Sequence, residues 1–298
     1  MAISKIWDLV IAGAGPAALT AGLYAARENL QVLVVEKQTF GGKVATISRI
    51  DNFPGTMVGT SGEVLAGNLI EQAKSFGVQM DYGEVSAIAR HEDGFALTVD
   101  GDEVLARSVL VATGLENRKL GVAGEKLQGV HYCATCDGAF YNGKRVIVVG
   151  GGNSALQEAF YLAKIVGHIT IISAGELTAS HALREELSRH KEIEVLENTV
   201  IEEVVGLDGK VNGVRIGDDM IEADGVFVFI GHAPSVGFLQ DLEVRVDEKG
   251  FIETDAEMMT NVAGVFAAGD VRSGSVKQAI TAAGEGAVAA VAIGKYLS

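Results

Sequence analysis

Short unbroken apolar runs alternate along the chain with glycine clusters and longer amphipathic stretches. The first run covers 7–12 (WDLVIA), followed by Gly13-Ala14-Gly15-Pro16-Ala17-Ala18 and a helical pattern to about residue 29. A second apolar run at 31–35 ends in Glu36. The same order returns at 145–149 (RVIVV), with Gly150-Gly151-Gly152-Asn153-Ser154-Ala155, a helical pattern to about 166 and an apolar run at 169–172. Runs this short and this apolar, alternating with helices, suit parallel strands buried on both faces. Residues 95–99 and 104–111 alternate like half-buried strands, and 211–216 and 221–230 do so in the later half. Each half closes with an apolar strand running into glycine, at 109–114 (VLVATG) and 226–231 (VFVFIG). A strand at 265–270 (VFAAGD) and an Ala-rich helix over 277–296 complete the chain. The pattern predicts an α/β fold of two nested dinucleotide-binding domains, Rossmann-like and three-layered (ββα). The first is expected to be split, 1–115 plus 243–298, with the second, 116–242, inserted.

Composition narrows the function. The 298 residues suit about two domains. With 24 Lys+Arg against 39 Asp+Glu, the formal charge is −15. That balance argues against a nucleic-acid binder, whose phosphate contacts need a basic surface, and against a polybasic membrane anchor. Hydrophobic residues make up 48% but aromatics only 6%, so the apolar mass is Ala, Val, Ile and Leu. The 38 glycines imply many tight turns or close backbone approaches, and 3 prolines exclude a Pro-rich linker protein. No apolar run approaches the ~18 residues of a membrane span. Asp8 interrupts the first apolar stretch and no small-residue cleavage site follows, so a cytoplasmic location is expected.

Both glycine loops read G-x-G-x-x-A inside a strand–loop–helix–strand unit. The first glycine permits a tight turn, the second lets backbone approach a pyrophosphate, and the small last residue lets helix and strand pack closely. The free N–H groups at the helix start then hold the anion. The ribose position separates the two loops. Glu36 lies 23 residues after Gly13, where a carboxylate can accept from a ribose hydroxyl; 23 residues after Gly150 lies Ser173. The nearest acid there, Glu176, comes three residues late, and the nearest arginine, Arg184, falls in the next helical stretch. The first loop therefore reads as a complete adenine-dinucleotide site. The second either holds a phosphate or serves only as a packing device.

The two cysteines stand in His131-Tyr132-Cys133-Ala134-Thr135-Cys136-Asp137-Gly138. A C-x-x-C pair without further cysteines is a redox or metal candidate. As a redox pair it closes a small reversible ring in which one thiol acts as nucleophile, and Asp137 could carry its proton. Zinc would need more ligands, of which only His131 is close in sequence. Asp137 could equally be a helix-capping or turn residue. No metal is expected.

Over nearly its whole length the chain resembles the low-molecular-weight thioredoxin reductases. The resemblance rests on GAGPAA at 13–18, GG at 41–42, IDNFPG at 50–55, ATG at 112–114, CATCDG at 133–138, GGGNSA at 150–155, AAGD at 267–270 and KQAITAAGEG at 277–286. It implies a homodimeric flavoprotein in which Cys136 faces FAD, Cys133 attacks the substrate disulfide and Asp137 is the acid–base. It also implies FAD contacts from Gly13, Gly15, Pro16, Ala17, Glu36, Gly41, Gly42, Lys43, Asn52, Val85, Thr113, Gly114, Gly269, Asp270, Lys277, Gln278 and Ala279. The implied protein substrate is thioredoxin.

Two departures bear on the electron donor. Nicotinamide-dependent members carry HRR-x-x-x-R after the second unit's strand; here 173–179 reads SAGELTA, without a basic residue. Members commonly have Gln after the GG pair, where this chain has Lys43. The chain is in these respects most like the ferredoxin-dependent flavin thioredoxin reductases. Ferredoxins lie near about −400 mV and thioredoxin near about −270 mV, a gap of roughly 130 mV. For two electrons that is about 6 kcal/mol downhill, so no nicotinamide step is required energetically. Ferredoxin is therefore the expected donor, and Lys37, Lys43 and Arg49 are candidates for receiving an acidic protein. A disulfide stacked on a flavin is hidden from a protein substrate, so the connections at 113–118 and 231–245 are expected to act as hinges. The alternatives are an NAD(P)H-dependent thioredoxin reductase with an atypical pocket, a dithiol oxidase passing electrons to oxygen, and a flavin-binding sensor without turnover.

Overall fold

A computed structural model describes residues 5–47 and 49–298. The reading of the first residues as free of a secretory pattern falls partly on 1–4, outside the described residues. The chain forms two compact units, one running up to Glu116 and resuming at Ala233, the other Asn117–His232. The first unit resumes at Ala233 rather than at 243 because the 3-10 turn Gly237–Leu242 seats Leu239 and Leu242 among Trp7, Val10 and Ile88 in that unit's core.

The first unit is built on a seven-stranded sheet in the order Gln79–Tyr82, Val32–Glu36, Ile6–Ala12, Asp102–Val111, Gly94–Val99, Val85–His91. The long strand Asp102–Val111 pairs in parallel with Ile6–Ala12 along one edge. Along its other edge it pairs antiparallel with Gly94–Val99 at its start and parallel with Val265–Ala267 at its end. Side chains alternate between two cores, as the period of two requires. Leu9, Ile11, Val34 and Leu110 face the helices Pro16–Arg27 and Ala279–Leu297. Val10, Val35, Val109 and Val111 face the other way, with Ile88, Phe95 and Leu97 of the meander. This gives the three layers expected. The helix Gly62–Ser75 and the strands Gln79–Tyr82 and Val85–His91 are additional to the elements expected from the sequence pattern.

The second unit has a five-stranded parallel sheet in the order Ile193–Leu196, His168–Ile172, Arg145–Val149, Gly225–Val228, Val130–His131. A three-stranded antiparallel sheet, Glu203–Leu207, Lys210–Ile216 and Asp219–Glu222, accompanies it. The single strand expected over 221–230 is thus two. Asp224 divides them: its N–H donates to Arg145 O, and its carboxylate accepts from Arg145 N–H at 3.0 Å. The chain is thereby turned out of the antiparallel sheet and into the parallel one.

The helices Pro16–Arg27 and Ala279–Leu297 approach closely because their facing residues are small. A Cβ at Gly286 would run into the Ala17 carbonyl, whereas one at Gly284 would meet nothing within 4 Å. Gly286→Ala is expected to destabilise the first unit by about 1–3 kcal/mol. Gly284→Ala should leave it unchanged or stabilise it by up to about 1 kcal/mol, by helix propensity alone. Urea unfolding midpoints of the two variants measure the contrast.

Candidate active site

In the first unit the carboxyl ends of four neighbouring strands lie in register: Ala12 pairs with Val35 and with Val111, and Val111 with Ala267. The residues that follow, Gly13, Glu36, Thr113 and Gly269–Asp270, therefore gather at one end of the sheet, where this fold binds its ligands. Gly13 has φ +99°, and a Cβ there would sit 2.5 Å from Ala112 O. Gly15 differs: nothing lies within 4 Å of its missing Cβ, so open space remains at the start of the helix that Pro16 opens. Pro16 and Ala17 are buried, and no side chain caps that first turn, which leaves its N–H groups the arrangement an anion cradle requires.

Glu36 ends its strand with a fixed carboxylate. Oε2 accepts from Ala14 N–H at 2.9 Å, and Oε1 from Gln38 N–H at 2.7 Å. Oε1 also accepts from Thr39 N–H at 3.3 Å, so the acceptor capacity left for a ribose hydroxyl is on Oε2. Beside it opens a groove lined by Lys37, Gln38, Tyr82, Gly83, Glu84 and Asp100. Val85 starts the next strand, half-buried against the core.

Gly41 donates its N–H to Ala14 O at 2.8 Å, and a Cβ there would collide with Ala66, so its position is set by packing. Gly42, at φ +59°, abuts Gly15. Lys43 begins the exposed side of this turn; partial burial pushes its ammonium pKa down, against opposing pulls from Asp270 and Glu116. Asn52 Nδ2 donates to Gln278 Oε1 at 2.9 Å, joining two expected flavin residues that are far apart in sequence. Gln278 sits at the N-cap position of the helix that starts at Ala279, and Lys277, at φ +60°, lays its ammonium 4.5 Å from the centre of the Phe251 ring. Gly269 N–H donates to Glu285 Oε2 at 2.7 Å. Burial raises the Asp270 carboxyl pKa; Lys277 and Lys43 oppose that shift and Glu285 adds to it.

Sequence reasoning missed Arg272 and Glu285, a nearly buried pair at 2.8 Å that fixes the Gly269–Asp270 turn. Their signal was a lone carboxylate in an Ala-rich helix and an arginine just after AAGD. Of the three expected docking cations, Lys37 is paired with Glu116 and Glu84, and Arg49 with Asp51. Neither offers uncompensated charge.

The second unit holds the cysteines. Cys133 and Cys136 form a disulfide with Cα atoms 5.4 Å apart. Cys133 stands at the N-cap of the short helix Ala134–Asp137, where its Sγ accepts from Cys136 N–H at 3.2 Å. Cys133 is half-buried and Cys136 exposed. Asp137 makes no capping bond with its side chain; its Oδ2 instead lies 3.1 Å from His131 Nδ1. The capping role is therefore excluded, and His131 faces a carboxylate. Among the described residues no group of three or more His, Cys, Asp and Glu could hold a metal.

The second glycine loop repeats the first in backbone only. Gly150 has φ +134°, and a Cβ there would strike Phe229 O, the counterpart of Ala112 O. At the ribose position Ser173 is 5% exposed and its side chain presses on Gly151. Glu176 and Arg184 are both exposed, with Arg184 on the helix His181–Leu187. Asn153, which opens the loop's helix, has its side-chain oxygen taken by Ser180 N–H at 2.8 Å.

Residues 7–286 match the family model for pyridine nucleotide-disulphide oxidoreductases. The chain belongs to that family. It is 41% identical to a thioredoxin reductase of Treponema pallidum over 98% of this chain and 97% of the relative. It is 37% identical to one of Listeria monocytogenes over 98% and 94%. Among solved structures it resembles Lactococcus lactis thioredoxin reductase (TM-score 0.85, 35% identity, 98% and 99% covered). It also resembles, at a lower TM-score of 0.57 and 30% identity with 98% of each covered, a ferredoxin-flavin thioredoxin reductase of Clostridium acetobutylicum. It is an FAD-dependent disulfide oxidoreductase of the thioredoxin reductase type. The residues at the first loop fit FAD: open space stands at Gly15, and the buried Thr113 Oγ1 has no hydrogen-bond partner of its own. No helix among the described residues is long and apolar enough to cross a membrane.

Because burial raises the Asp270 pKa, its charge opposes folding of the apoprotein above that pKa, and the opposition disappears as the carboxyl is protonated at lower pH. Asp270→Asn apoprotein should therefore melt no lower than the parent at pH 7, with the difference vanishing on acidification. FAD affinity, measured by reconstitution and fluorescence quenching, should fall at least about tenfold, with the lost charged hydrogen-bond acceptor.

Proposed function

We propose that this chain reduces the disulfide of thioredoxin through Cys133 and Cys136, with electrons delivered to FAD by a non-nicotinamide donor, reduced ferredoxin being the best fit. FAD, when bound, passes electrons to the disulfide in pairs and can be recharged singly or in pairs. The rest belongs to the chain. Glu36, the Gly13–Ala17 loop, Thr113, Asp270 and the start of the helix at Ala279 hold the dinucleotide. Cys136 is the thiol that would take electrons from FAD. Cys133 as thiolate attacks the thioredoxin disulfide; a mixed disulfide forms and one thioredoxin thiolate leaves. Asp137 delivers a proton to that leaving thiolate. Cys136 as thiolate then attacks Cys133 Sγ, the second thioredoxin thiolate departs and is protonated, and the enzyme disulfide is restored. Two protons and two electrons pass from the enzyme dithiol to thioredoxin.

The observation that carries the donor reading is the ribose position of the second loop. Ser173 is buried against Gly151, and no basic side chain occurs over 173–179, so neither a ribose acceptor nor a 2′-phosphate partner stands there. A second reading, reduction by NADH or NADPH, is favoured by the intact backbone of Gly150–Gly152 and by the family's pyridine-nucleotide chemistry. The homodimer is supported by an open apolar groove lined by Tyr24, Val288 and Val291 on the first unit.

Anaerobic titration separates the donors. Reduced ferredoxin is expected to bleach the flavin absorbance at stoichiometric amounts, and NADH or NADPH to leave it unchanged over the same time. Rapid bleaching by stoichiometric NADPH rejects the ferredoxin reading and establishes the second one.

A further inference from the structure

We propose that His131 is a positioning residue for the proton-transfer step: through Asp137 on one side and Tyr141 on the other, it holds the Asp137 carboxyl in place beside the redox disulfide. The inference rests on the role given to Asp137 above.

The geometry begins in the sheet. The strand Val130–His131 lies at its edge, and its register sets His131 beside Phe227 of the neighbouring strand. The two rings stack with centroids 5.1 Å apart and planes at 28°, which fixes the plane of the imidazole. Its two nitrogens then point to different partners. Nδ1 lies 3.1 Å from Asp137 Oδ2, and Nε2 lies 2.7 Å from the Tyr141 hydroxyl. Tyr141 is itself fixed. It is 7% exposed, it closes the 3-10 turn Gly138–Tyr141 just after the cysteines, and its ring lies so close to the strand Gly225–Val228 that a Cβ at Gly225 would collide with it. Phe227 also meets Tyr141 edge to face at 5.5 Å.

The direction of the bonds follows from the tyrosine. Burial raises the Tyr141 pKa, and the nearby Asp137 and Asp224 raise it further. Tyr141 therefore remains a phenol with a proton to offer Nε2, an arrangement that leaves the ring proton on Nδ1, 3.1 Å from the Asp137 carboxylate. The charged and titratable groups facing the imidazole are Asp137 on the cysteine helix and Tyr141 on the following turn; Tyr141 in turn has Asp224, before the neighbouring strand, and Lys144, whose ammonium lies 5.5 Å from its ring centre. The His131 and Asp137 side chains keep 18% and 30% exposure, enough for proton exchange with solvent while the pair stays partly shielded. In the cysteine turn, Asp137 N–H donates to Cys133 O at 3.3 Å. The backbone thus ties Asp137 to the attacking cysteine, and His131 fixes the remaining freedom of its carboxyl.

The test uses FAD-loaded enzyme reduced by two electrons with dithionite and mixed with oxidised thioredoxin, so that no physiological donor is involved. His131→Ala should slow the single turnover about tenfold, part of the roughly 10²–10⁴-fold contributed by a placed proton carrier. His131→Asn, whose amide overlays Nδ1, should restore most of the rate. Tyr141→Phe should give a smaller loss. In an Asp137→Asn background, His131→Ala should add nothing. Flavin absorbance and the melting midpoint check that each variant is folded, and His131→Asn serves if His131→Ala is not. If Asp137→Asn is slow while folded His131 variants keep the parent's rate, this inference is overturned alone. An additive loss in the double variant also overturns it. If Asp137→Asn itself turns over normally, the acid–base role falls and this inference with it.

Discussion

A glycine pressed against the last carbonyl of a neighbouring strand governs both halves of this protein. Gly13 meets Ala112 O and Gly150 meets Phe229 O, each at a positive φ that no residue with a Cβ could hold in that space. The constraint turns the chain sharply from strand to helix, and it aims the helix start at the carboxyl end of the sheet. The shared backbone does not make the two sites equal. At the first, Glu36 fills the ribose position with a carboxylate anchored by Ala14 and Gln38 N–H groups. At the second, Ser173 is buried against the loop itself. One scaffold has been used twice, and the two copies differ in the side chain at the end of the second strand.

The redox turn follows a different logic. Its helix, Ala134–Asp137, is a single turn and too short to be stable alone. It is held by Cys133 at its N-cap, by the ring that Cys136 closes, and by Asp137 reaching back to His131 on the edge strand. The sulfurs thus sit on a turn fixed at both ends, with Cys136 the more exposed residue of the pair. Such an arrangement lets the disulfide open and close without rebuilding the sheet beneath it.

Much of this was legible in the sequence, and the reasons it was or was not are physical. The parallel strands declared themselves because burial on both faces leaves continuous Val/Ile/Leu runs, and the loops because only glycine fits them. Glu36 was legible by its distance from Gly13. The break at Asp224 was not, because Glu222 and Asp224 on either side of Ala223 look like the polar positions of one alternating strand; the exchange with Arg145 reveals the turn. The return into the first unit at Ala233 was hidden because Leu239 and Leu242 give no sign in sequence of which core they join. His131 was weighed only as a metal ligand, since its partners lie six and ten residues away and meet it through strand register. Arg272 and Glu285 escaped because a buried ion pair looks, in sequence, like two ordinary surface charges.

On the mechanism proposed above, electrons leave this protein through Cys133 Sγ. Trapping the exchange tests it most directly: Cys136→Ser enzyme, with Cys133 reduced, is incubated with oxidised thioredoxin and the adduct is mapped by peptide mass spectrometry without reductant. A mixed disulfide between Cys133 and thioredoxin is the expected product. Failure to form any adduct, with a Cys133→Ser enzyme instead linking thioredoxin to Cys136, would contradict it.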